Sequence, residues 1–386
     1  KVTDTYGNPI AGHSVNWQII DFPAEATLSA TTTTTGTDGT TSSTLILGTK
    51  SGTYRVTASG SMQATFTATA TPDTADILEE VSGNGQTGTV ATTLTPFVVK
   101  VTDTYGNPIA GHQVHWEIIE SPAESRLSAT ITTTGINGTT SSTLTIGTKS
   151  GTYRVTASGS MEATFTATAT PDTADILEEV SGNGQTGTVA TTLTPFVVKV
   201  TDTYGNPIAG HQVHWEIIES PAESRLSATI TTTGINGTTS STLTIGTKSG
   251  TYRVTASGSM EATFTATATP DTADILEEVS GNGQTGTVAT TLTPFVVKVT
   301  DTYGNPIVGH SVHWQIIEFP AEATLSTATT TTGIDGTTSS TLTLGTKSGS
   351  YVVTASGSMQ ATFTATGTPG TATILSEVSG NNQTST

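Results

Sequence analysis

Oxygen-bearing side chains recur along this chain in one arrangement. Asp73 and Asp76 are followed by Asp103 and Asn107; the set returns as Asp172, Asp175, Asp202 and Asn206, and again as Asp271, Asp274, Asp301 and Asn305. Calcium takes six to eight oxygens from carboxylates, carbonyls and water, so each set offers part of a calcium shell. Calcium is the one cofactor the sequence raises. The series then breaks, because Gly370 and Thr373 stand where the acids were.

Other patterns point to chemistry and fall short of it. Gly182-Asn-Gly-Gln-Thr-Gly187 satisfies G-x-G-x-x-G, but a dinucleotide site needs a helix N-terminus behind it, and Thr188-Val-Ala-Thr-Thr-Leu-Thr-Pro195 follows instead. The expectation here is a bulge or crossover loop in an edge strand. His115 and Glu117 lie two apart on the polar face of a strand, yet two ligands fall short of the three or four a zinc site uses; the first copy has Asn16 in place of that histidine. No nucleophile, base and orienting group stand together, so catalysis is not expected. Asn137-Gly-Thr139, Asn236-Gly-Thr238 and Asn382-Gln-Thr384 are glycosylation sequons. Thr164, Thr166, Thr168 and Thr170 form a row that reads as the wet face of a strand.

The elements that carry these residues read as strands. Phe97, Val99 and Val101 alternate with polar residues, as do Val114, Trp116 and Ile118, which gives each segment one apolar face. A two-part edge strand is predicted over 76–81 and 87–91, broken at Ser82-Gly83-Asn84-Gly85. Leu127, Ala129 and Ile131 come next, then Leu144 and Ile146, then Tyr153 to Ala157 and Met161 to Ala167. Seven or eight short strands separated by Gly, Asn and Pro turns predict an antiparallel sandwich. Such wiring places the turn at Tyr105-Gly106-Asn107-Pro108 at the same pole as the incoming linker, which would bring Asp103 and Asn107 near Asp73 and Asp76.

This unit is written about four times. Lys1, Lys100, Lys199 and Lys298 open the same words at a spacing of 99 residues, and residues 100–198 and 199–297 are identical. A unit of that length is a self-sufficient domain, too long for a solenoid repeat. The predicted boundaries are 1–74 (lacking its first strands), 75–173, 174–272 and 273–371, with 372–386 the first strand of a further domain or a donor strand. The 386 residues carry a net charge of −18, which repels phosphate backbones, so no nucleic-acid partner is expected. No run of apolar residues is long enough to insert in a membrane. There is no cysteine, which removes disulfides and thiolate chemistry.

Asp103, Gly106-Asn107-Pro108, Gly111, Val114 and Trp116, then Thr134-Gly135, Leu144 and Ser150-Gly-Thr-Tyr-Arg-Val-Thr-Ala157, make each unit resemble the bacterial immunoglobulin-like (Big-1 type) domains of the invasin and intimin group of surface adhesins. The resemblance implies a tandem array of immunoglobulin-like sandwiches and an extracellular, cell-surface location. It also implies a stalk that projects a binding tip, whose partners are neighbouring copies of the same domain in cis. A rival expectation uses the ends, which both fall inside a unit. The tail of one chain would complete the open first sandwich of the same chain in trans by β-strand complementation, making a head-to-tail filament.

Overall fold

The computed structural model describes residues 1–379 apart from 160, 259 and 358, and every element among them is a strand. Packing divides the chain into two compact units, Lys1–Thr173 with Asp202–Asn206, and Ala174–Thr201 with Pro207–Thr386.

In the first unit, the second copy shows the complete arrangement. A five-stranded sheet runs in the order Ile131–Thr133, Gln113–Glu120, Gly151–Ser158, Glu162–Thr170 and Gln86–Thr89, and a three-stranded sheet in the order Thr139–Ser142, Phe97–Thr102 and Ile77–Ser82. Arg126–Leu127 pairs with Leu144–Thr145. The edge strand predicted in two parts is observed as Ile77–Ser82 and Gln86–Thr89. It leaves one sheet, where it runs antiparallel to Phe97–Thr102, and enters the other, where it runs parallel to Glu162–Thr170 with Thr168 opposite Thr87. The result is an immunoglobulin-like antiparallel β-sandwich with one parallel edge.

The two sheets close on an aromatic centre. Phe97 and Phe165 are both fully buried, one from each sheet, with ring centroids 4.9 Å apart. Trp116 lies 5.9 Å from the Phe165 ring and donates its indole N–H to Thr132 Oγ1 at 2.8 Å. Val99, Val101, Val114, Leu144, Tyr153 and Val155 belong to the same core. The Tyr153 hydroxyl donates to the Lys149 carbonyl at 2.7 Å, tying the start of its strand to the chain just before it, as tyrosine corners do in this fold.

Two features differ from the sequence reading. Ile131 is half exposed, because Arg126–Leu127 and Ile131–Thr133 pair with different strands and the alternation does not carry across the break. Thr139–Ser142 is a strand of the smaller sheet, in the interval between Ile131 and Leu144 where the sequence reading placed none. Its residues have no apolar alternation to announce them.

The first copy has a four-stranded sheet, Thr32–Thr34, Ser14–Asp21, Gly52–Ser59 and Gln63–Ala70. Phe66, the counterpart of Phe165, is 52% exposed and keeps only the Trp17 ring as an aromatic neighbour, at 5.8 Å.

In the second unit the third and fourth copies repeat the five-stranded and three-stranded sheets strand for strand, around cores containing Phe196, Trp215 and Phe264, and Phe295, Trp314 and Phe363. Of the 372–386 segment, residues 372–378 have no assigned secondary structure and Ser379 is a bend. Ile374, Leu375 and Val378 are exposed; residues 380–386 lie outside the described residues.

Candidate functional site

The residues predicted to share chemistry meet where one copy hands over to the next. The turn Asp103-Thr-Tyr-Gly-Asn107 follows the Phe97–Thr102 strand and is closed by backbone hydrogen bonds, Asp103 N to Asn107 O at 3.0 Å and Gly106 N to Asp103 O at 2.9 Å. Its sequence explains its form. Gly106 adopts a φ of +79°, which a residue without Cβ takes freely, and an aspartate at the first position accepts from the backbone two and four residues on.

Asp103 is fully buried, and both its oxygens are engaged. Oδ1 accepts from Tyr105 N at 3.0 Å and Asn107 N at 2.8 Å. Oδ2 accepts from Asn107 Nδ2 at 2.7 Å and from Asp73 N, in the incoming linker, at 3.0 Å. Burial opposes ionisation of this carboxyl, but the Asn107 side chain and the backbone N–H groups of Asn107, Asp73 and Tyr105 outweigh it and hold the group below the usual aspartate range.

Asn107 is buried as well, at 4% exposure, and it faces the preceding copy. Its Nδ2 donates to the Thr49 carbonyl at 2.8 Å and its Oδ1 accepts from Ser51 N at 2.9 Å. The Lys50 ammonium between them donates to the Tyr105 carbonyl. Every hydrogen-bonding atom of the Asn107 side chain is therefore used.

The same geometry recurs. The Asp202–Asn206 turn, which packs with the first unit, takes Asp172 N on Asp202 Oδ2 at 3.0 Å and holds Thr148 O and Ser150 N through Asn206, each at 2.9 Å. In the second unit Asp301 accepts from Asp271 N at 3.0 Å, and Asn305 holds Thr247 O and Ser249 N at 2.8 and 2.9 Å. The first copy supplies the comparison. Asp4 accepts from Tyr6 N, Asn8 N and Asn8 Nδ2, all at 2.9 Å, so the turn forms there too, but both residues are exposed.

The structure thus brings Asp73, Asp103 and Asn107 together and leaves Asp76 at the margin. Asp76 accepts from Thr104 Oγ1, and the Asp73 carboxylate turns back to Thr74 N at 2.8 Å; Asp172 and Asp271 do likewise with Thr173 and Thr272. Asp175 and Asp274 donate their backbone N–H to Thr201 and Thr300. A cation needs oxygens whose lone pairs face it. The Asp103 oxygens instead face four N–H donors, so this carboxylate and Asn107 do not fit a calcium shell. Among the described residues no group of three or more His, Cys, Asp or Glu side chains is placed to hold a metal ion. His115 and Glu117 lie exposed on the outer face of Gln113–Glu120.

The G-x-G-x-x-G segment is the crossover between sheets. Gly182 has a φ of +96°, and a Cβ on it would lie 2.4 Å from the Pro195 carbonyl oxygen. The sequon residues Asn137 and Asn236 are exposed at a turn, each accepting from the threonine two residues on; Asn382 lies outside the described residues. No helix among the described residues is long and apolar enough to cross a membrane.

Sequence reasoning grouped Asp103 with Asn107 and missed what they hold. Thr49 and Ser51 sit 58 and 56 positions before Asn107, inside a Gly-Thr-Lys-Ser stretch that lacks the upstream glycine of a phosphate loop. The usable signal was that this stretch and the Asp-Thr-Tyr-Gly-Asn turn recur together.

No known protein-family profile matches the sequence, and no curated protein does. Among solved structures the chain is similar to FdeC, an adhesin of Escherichia coli, at 19% identity over 77% of this chain and 100% of that one, with a TM-score of 0.49. It is also similar to invasin, a bacterial integrin-binding protein, at 16% identity over 95% of this chain and 74% of that one, TM-score 0.43. A third similarity is to the D00–D0 region of intimin, at 17% identity over 49% of this chain and 96% of that one, TM-score 0.29. At these identities the likeness is one of fold, and the fold rests on the strand order given above.

Proposed function

We propose that the chain is an extracellular stalk, a run of immunoglobulin-like domains within a bacterial surface adhesin that holds a binding tip away from the cell. One observation carries this reading. The side chains with the most chemistry to offer, Asp103 and Asn107 in the first unit and Asp301 and Asn305 in the second, are spent on hydrogen bonds that join one copy to the next. The cores built on Trp116, Trp215 and Trp314 are alike, as expected of spacers whose number matters more than their individuality. The sequence resemblance to the invasin and intimin group supports the surface location.

Residues 100–198 and 199–297 are identical, so deleting one of them recreates every junction unchanged. In the source protein that deletion is expected to lower adhesion of intact cells across a thick surface coat while leaving ligand binding by the detergent-extracted adhesin as it was. Loss of binding by the extracted protein would assign recognition to these copies and overturn the stalk.

A further inference from the structure

We propose that the Asp103–Asn107 turn, with its counterpart Asp301–Asn305 in the second unit, is a metal-free clamp that fixes the angle between two successive sandwiches by gripping the Gly-Thr-Lys-Ser segment of the preceding copy. The grip has the form of a sheet rung. A primary amide carries one carbonyl and N–H donors, the same functions as a peptide group. Asn107 donates to the carbonyl of Thr49 and accepts from the N–H of Ser51, the two flanking positions that a residue of a parallel strand would engage opposite Lys50. One side chain therefore adds a rung to a strand of another domain without supplying a strand.

Asp103 makes that side chain rigid. Its Oδ2 takes one Asn107 Nδ2 hydrogen at 2.7 Å, which orients the amide plane, and it takes the linker N–H of Asp73, which ties the connecting segment to the same atom. Asp4 and Asn8 of the first copy make the same contacts within their own turn, so the fork is built from the turn's own residues. A preformed fork loses little conformational freedom on gripping. A cation at this position would have to displace the N–H groups already on the carboxylate, so the orienting charge at the joint is the hydrogen-bonded aspartate itself.

The test uses the absence of cysteine, which lets a spin-label pair be placed without background. Thr34→Cys and Thr164→Cys, both exposed and on strands of adjoining copies, report the joint by pulsed electron–electron distance measurement on the full chain. In EDTA the distribution is expected to be narrow and unchanged by millimolar calcium. Asn107→Ala should broaden it at least twofold. Asn107→Asp, which keeps an oxygen acceptor but loses both donors and puts a second carboxylate beside Asp103, should broaden it as well. Asn8→Ala, which takes no part in the Thr49–Ser51 joint, should leave it unchanged. A distribution that is broad in EDTA and narrows with calcium would overturn the proposal in favour of an ion-set joint. A narrow distribution in both Asn107 variants would overturn it in favour of the linker alone.

Discussion

The buried and the open copies of one phenylalanine provide a measurement of what the sandwich core is worth. Phe363 in the fourth copy is fully buried, with the Phe295 ring 4.8 Å away and Trp314 5.9 Å away. Phe66 occupies the same place in the first copy and is 52% exposed. Replacing a buried phenylalanine by alanine costs about 3 to 5 kcal/mol, because the transfer free energy is lost and a cavity is left. At Phe66 only about half of a full side-chain transfer of roughly 1.5 to 3 kcal/mol is at stake, and an open site leaves no cavity, so the cost is about 1 kcal/mol. Hydrogen exchange by mass spectrometry reads both, since the strands Gly349–Ser356 and Gln360–Thr368, and Gly52–Ser59 and Gln63–Ala70, exchange through opening of their own sandwich. At about 1.4 kcal/mol per tenfold, Phe363→Ala should speed exchange of its strands by about a hundredfold to several thousandfold, and Phe66→Ala by less than about tenfold. Equal acceleration in the two copies would refute the assignment of the three-ring stack as the source of core stability.

Three further outcomes follow from particular contacts. Thr132→Val leaves the Trp116 indole N–H, now 2.8 Å from Thr132 Oγ1, buried and without a partner, which should cost about 1 to 3 kcal/mol and separate a lower-melting component in calorimetry. Asp103, Asp202 and Asp301 titrate below the usual aspartate range, since burial is outweighed by the hydrogen bonds that the Asn side chain and backbone N–H groups give them. Their contribution is complete above about pH 4 and fades as pH falls through the lower native values; the Thr34–Thr164 distance distribution should stay narrow at pH 5 and broaden toward pH 2. Lys50, Asp73 and Asp76 are the other charged residues that contact the Asp103 turn. Gly182→Ala should destabilise the third copy by more than the roughly 1 to 2 kcal/mol of a left-handed residue, because its Cβ would meet the Pro195 carbonyl. Gly184→Ala, at φ +70° with open space around it, should cost only that amount; equal melting shifts for the two would contradict the crossover geometry.

Much of this architecture was legible because a two-residue period assigns faces directly. Phe97, Val99, Val101, Val114 and Trp116 all point inward as their alternation requires. Where polarity does not alternate, the pattern is silent, and Thr139–Ser142 went unread as a strand although Ser142 is buried and pairs with Phe97. Ile131 was misread for the opposite reason, an apolar residue following a break in register. The grouping of Asp103 with Asn107 was also legible, because they stand four positions apart in one turn. Their partners were not, because a hydrogen bond from a side-chain amide to the main chain of a neighbouring domain leaves no mark on the composition of that neighbour. Thr49 and Ser51 contribute only backbone atoms, and any residue but proline could stand at the second.

The stack of Phe97, Phe165 and Trp116 has a consequence for how the chain withstands work. Many immunoglobulin domains join their sheets through a covalent sulfur bridge, which must be oxidised once and can be reduced or reshuffled afterwards. Here three rings in contact do that task, and contacts are restored by collapse alone. A sandwich pulled open can close again in reducing or oxidising surroundings alike, with no oxidant or isomerase, on the timescale of folding rather than that of thiol exchange. For a chain that is stretched repeatedly, recovery then depends only on its sequence.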